Sequence, residues 1–124
     1  MTKPLALVVY AEILPGSQLV NRLQDLDYRV LTLADPKELL ATAQQEKPLL
    51  VILALEGEVD ICCAAIQELK SNAETAHIPL LAFGPQKESK LQQAAAEAGA
   101  NLVASDSAIL SQLHQLLEQI LGVE

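Results

Sequence analysis

Five short apolar runs recur along the chain, each followed by a longer segment of helical character, and this alternation constrains the fold more than any other feature. The runs are Leu5 to Tyr10, Tyr28 to Leu33, Leu49 to Leu53, Pro79 to Phe83 and Asn101 to Ala104. Strands that alternate with helices read as crossover units, and crossover units build a parallel sheet with helices on both faces. The third run, Leu49-Leu50-Val51-Ile52-Leu53, has no polar alternation, as expected of a strand covered on both sides. At 124 residues, 51% of them hydrophobic, the chain has material for one continuous core, so a single α/β domain over residues 1–124 is the expectation.

Helix signals fill the gaps. Asp35-Pro36 offers a capping side chain followed by proline in the first turn, Asp60 is placed to cap a helix through Lys70, and Gly99 can close the helix ending at Ala98. The last helix carries Ile109, Leu110, Leu113, Leu116, Leu117, Ile120 and Leu121 over an arc of about 140°. That is wider than a minimal core stripe and marks surplus apolar surface.

Charge and composition exclude several classes. A net charge of −8 repels a nucleic-acid backbone or an anionic membrane surface. Tyr10, Tyr28 and Phe83 are the only aromatic side chains, too few for a base-stacking platform. No apolar tract reaches the roughly 18 residues a membrane-spanning helix needs, and Leu5 to Ala11 is too short, with Glu12 behind it, to serve as a secretory signal. The adjacent Cys62 and Cys63 cannot form an unstrained disulfide in a helix and read as reduced thiols of a cytoplasmic protein.

The pieces Leu7-Val8-Val9, Pro48 to Leu53, Leu69-Lys70, Thr75-Ala76-His77-Ile78-Pro79-Leu80-Leu81-Ala82 and Ala96-Glu97-Ala98-Gly99-Ala100, in this order and spacing, resemble the receiver domains of response regulators. The resemblance covers nearly the whole chain and implies a flavodoxin-like, doubly wound sheet with strand order 2-1-3-4-5. Ligands of open α/β sheets sit beyond the carboxyl ends of the strands, so the family's chemistry is carried there. The resemblance implies an acidic pair for Mg²⁺ after the first strand, where this chain has Tyr10 and Ala11, and a nucleophilic aspartate ending the third, where it has Ala54. It further implies a Ser or Thr where Gly84 stands and a lysine where Asp106 stands, followed by Ser107 in place of proline; Val103 replaces an aromatic switch residue.

A methyl group cannot take up phosphorus, and at Asp106 the charge is reversed. The expectation is a degenerate pseudo-receiver in a bacterial two-component regulatory system: no enzyme, no cofactor and no metal, acting through a kinase, an output domain, another regulator or a second copy. The family's usual contact surface maps onto Gln92, Ala96, Val103, Ile109 and Leu116.

Other readings stay open. The strand-end crevice, lined by Tyr10 and the acids Glu12, Glu56, Glu58, Asp60 and Asp106, could take a small ligand or a displaced metal. The chain could equally be a dimerisation domain of a larger regulator. Cys62 and Cys63 with His77 lack a second ligand cluster for zinc and read as small buried hydrophobes, and His114 reads as a solvated residue on the polar arc of the last helix.

Overall fold

The computed structural model describes residues 4–10, 13–55, 59–84 and 89–121. Five strands form one parallel sheet in the order β2-β1-β3-β4-β5: β1 Leu5–Val9, β2 Arg29–Leu33, β3 Leu50–Ala54, β4 Leu80–Gly84 and β5 Leu102–Ser105. Each falls on one of the five apolar runs, and the fold class expected from their alternation is the one observed. The interior strands β3 and β4 are buried along their whole length, which is why they carry no polar alternation.

Side chains of alternate strand positions separate into two cores, as the period of two requires. On one face Leu7, Val9, Val51, Leu53, Leu55, Leu80 and Ala82 pack under α2 (Leu39–Glu46), α3 (Val59–Ser71) and α4 (Ser89–Ala98). On the other, Val8, Leu50, Ile52, Ala54, Leu81 and Phe83 meet α1 (Ile13–Asp25), α5 (Asp106–Ser111) and α6 (Leu113–Leu121).

Asp35 does cap, accepting from the Lys37 N–H at 3.0 Å at the start of a 3-10 turn, Pro36–Glu38, that leads into α2. Two local expectations need correction. Asp60 is not the cap of α3: the helix already begins at Val59, so Asp60 lies in its first turn, where a carboxylate favours the positive end of the helix dipole. The last helix is divided. Gln112, at φ −123°, interrupts the helical path and separates α5 from α6.

Gly99 does close α4. Its φ of +126° is a conformation L side chains rarely adopt, and a Cβ there would lie 3.1 Å from the Lys70 Cγ. The connection from α3 into β4, the segment with the strongest family likeness, is tied by polar bonds. The buried Thr75 Oγ1 donates to the Leu69 carbonyl at 2.6 Å, and Lys70 Nζ donates to the Ile78 carbonyl at 2.6 Å. Asn101 then joins the starts of β4 and β5, accepting from the Leu80 N–H and donating its own N–H back to the Leu80 carbonyl.

Candidate functional site

The parallel register brings the carboxyl ends of the strands to one rim, with Ala54 opposite Phe83, Phe83 opposite Ala104 and Gly84 opposite Ser105. Ala54 is 3% exposed, and its methyl belongs to the core beneath α1, α5 and α6. Its carbonyl faces the Cys62 thiol at 3.8 Å, so even the backbone oxygen at this position is turned toward a neighbouring helix. The place where the resemblance implies an attacking carboxylate holds a buried methyl.

Gly84 lies beside two leucines. A Cβ added there would come within 3.2 Å of Leu55 Cβ and 3.5 Å of Leu91 Cδ2. Leu55 is itself buried and Leu91 packs against the same core, so this part of the rim is filled by aliphatic carbon. An alanine in a strand is ordinarily more stable than glycine by about 0.5–1 kcal/mol. At position 84 that sign is expected to reverse, Gly84→Ala losing about 1 kcal/mol because Leu55 Cβ cannot withdraw without moving a backbone held by its N–H donating to the Phe83 carbonyl at 2.8 Å. Urea unfolding of the variant measures the difference.

Asp106 opens α5 immediately after the cap residue Ser105, whose Oγ accepts from the Ala108 N–H at 3.1 Å. An acid in a helix's first turn is stabilised by the dipole. Asp106 thus has a structural role at a position where the resemblance implies a lysine. Tyr10 is half-buried against the core shared with Ala54, its N–H donating to the Leu33 carbonyl at 2.9 Å. Ala11, Glu12, Glu56 and Glu58 lie outside the described residues. Among the described residues no group of three or more His, Cys, Asp and Glu side chains is gathered as a metal site.

Cys62 and His77 are not brought together, since Cys62 faces the carboxyl end of β3 while His77 precedes the amino end of β4. Burial first, and then the Asp60 carboxylate, push the Cys63 thiol up, which holds it protonated rather than nucleophilic. His114 is exposed and lies 3.1 Å from Glu118 one turn along α6.

The proposed contact face loses one member. Ile109 is fully buried, because capping at Ser105 sets the phase of α5 so that Ile109 points to the sheet with Leu113 and Leu117 following at four-residue spacing. The apolar width of the last helix is taken up in the same way: Leu110, Leu116 and Ile120 flank that stripe, half-buried against the core. Gln92 is half-buried with Nε2 donating to the Gly84 carbonyl at 3.4 Å, Ala96 is exposed, and Val103 is half-buried against the core under α3 and α4.

No protein-family model and no curated protein matches the chain. Solved structures do. A protein assigned as a response regulator from Chloroflexus aurantiacus is 20% identical with a TM-score of 0.88, covering 98% of this chain and 99% of that one. The receiver domain of a sensor histidine kinase from Pseudomonas aeruginosa, solved with magnesium in its active-site cleft, is 17% identical with a TM-score of 0.86 over 98% and 99%. The receiver domain of NtrX from Brucella abortus is 21% identical with a TM-score of 0.81 over 96% and 99%. At these identities the likeness establishes architecture, and the chain has the fold of receiver domains along nearly its whole length.

Proposed function

We propose that the chain is a pseudo-receiver, a signalling module that keeps the receiver scaffold and works by protein–protein contact without taking up a phosphoryl group. The observation that carries this reading is the rim: a buried methyl at Ala54, no side chain at Gly84, and an acid at Asp106 where phosphoryl binding calls for a cation. Nothing in that set can attack phosphorus, and Asp106 would repel the incoming anion. Its partner is a kinase, an output domain, another regulator or a second copy, in the cytoplasm of a bacterium. Contact is made through Gln92, Ala96, Val103 and Leu116, with Ile109 withdrawn into the core.

The test is direct. With acetyl phosphate and Mg²⁺ in excess, intact mass spectrometry is expected to find only the unmodified chain, and a phosphoryl adduct would overturn the reading. Filling of the rim by Leu55 and Leu91 argues against the rival in which a small ligand binds in the strand-end crevice.

A further inference from the structure

The opposite end of the sheet carries a feature the receiver reading does not use. Where the strands begin, separate segments of the chain enclose a cleft of about 560 Å³, within the range of about 300–1,000 Å³ typical of small-molecule sites. Among the described residues the exposed large hydrophobics are Leu26 and Leu49, and Leu49, 46% exposed, stands in the wall of this cleft with Leu121.

Charge in the wall runs against the rest of the molecule. The chain has 16 acidic and 8 basic side chains, whereas among the described residues the cleft is lined by Arg29 and Lys47 with Glu46 as the one acid, and His77 adds a further donor. Lys47 sits there under strain. It ends α2 in the left-handed conformation, φ 50° and ψ 61°, where glycine would be accommodated at lower cost. Strained positions of this kind cluster at functional sites.

We infer that this cleft binds a small aliphatic carboxylate, with its head at Arg29 and Lys47 and its carbon chain over Leu49 and Leu121. Aliphatic carbon would cover the exposed leucine, and an anion matches a cationic wall in an otherwise anionic protein. The concave shape favours a small molecule over a protein segment, whose docking would need a burial of about 1,000 Å² or more. The inference is independent of whether the strand-end rim is phosphorylated.

Octanoate is the probe, followed by amide chemical shifts. Saturable changes at Arg29, Lys47, Leu49, His77 and Leu121 are expected, with octylammonium and acetate both binding far more weakly. Lys47→Gly is the decisive variant, since relief of the left-handed strain should raise the urea midpoint while octanoate binding weakens about fivefold. Absence of saturable shifts, equal binding of octylammonium or acetate, or unchanged affinity in Lys47→Gly would each overturn the assignment. So would tighter binding of a peptide ending in leucine, which would make the cleft a dock for a protein terminus.

Discussion

Ala54→Asp is expected to destabilise the domain by about 3 kcal/mol at neutral pH and to gain no phosphoryl group. The substitution places a carboxylate where the side chain is 3% exposed and surrounded by the core of Ile52, Phe83 and Ala104. Desolvation would raise its pKa in the folded state above the unfolded value of about 3.9. The sign follows from linkage. An acid whose folded pKa is raised holds its proton longer in the native state, so the full cost applies above the folded pKa and shrinks as pH falls toward the unfolded value.

Urea unfolding of the variant and the parent chain should therefore differ most near pH 7 and draw together as pH is lowered toward about 4. In parallel, acetyl phosphate should leave the variant unmodified, because Asp106 still stands where the resemblance implies a cation, and Tyr10 and Ala11 where it implies a metal-binding pair. A stable variant that acquires phosphate would show that one residue, rather than the whole rim, separates this chain from phosphotransfer.

Phe83→Ala should have a comparable or larger effect on stability. Phe83 is the only phenylalanine, 1% exposed, and it lies in a central strand between Ala54 and Ala104. Its neighbours across the sheet are both small, so the ring supplies most of the volume at that level of the core. Truncation leaves a cavity that strands held in register cannot collapse to fill, at a cost of about 3–5 kcal/mol. Against a total stability of about 5–15 kcal/mol for a domain of this kind, much of the folding free energy would be gone. Urea denaturation followed by far-ultraviolet circular dichroism measures it. A loss below about 1 kcal/mol would mean that the core under α1 and α5 is far looser than its burial indicates.

The sheet was legible in the sequence because its central strands are buried on both faces and hence uniformly apolar, a pattern that needs no tertiary knowledge to recognise. Gly99 was legible for a similar reason, since only its own backbone conformation is at issue. Side-chain direction was less accessible. The family's contact surface maps Ile109 onto the exterior, whereas the cap at Ser105 turns it to the sheet in line with Leu113 and Leu117. Asp60 shows the same difficulty at smaller scale: an acid at a helix start fits the cap and the first turn equally well, and one residue of offset decides between them.

At the strand-end rim, the positions where this chain departs from the pattern the resemblance implies could be read from residue identity alone. Its filling by Leu55 and Leu91 could not, because those residues come from different crossover units and are brought together beside Gly84 only by the fold. The cleft at the other end was invisible for the same reason, being assembled from segments far apart in the chain.

A sheet made only of parallel neighbours also governs how the molecule forms. β1 must find β3 after α1, β2 and α2 have been synthesised, and no hairpin offers an early local pairing. Closure of such long loops is slow, and Leu50–Ala54 and Leu80–Gly84 are uncharged, sticky stretches in the meantime. Pro48 and Pro79 stand just upstream of those two stretches; each lacks an N–H to donate to a growing ladder, although the Pro79 carbonyl accepts from the Val51 N–H in the folded sheet, and such residues act as gatekeepers against intermolecular stacking until the crossovers have wound shut.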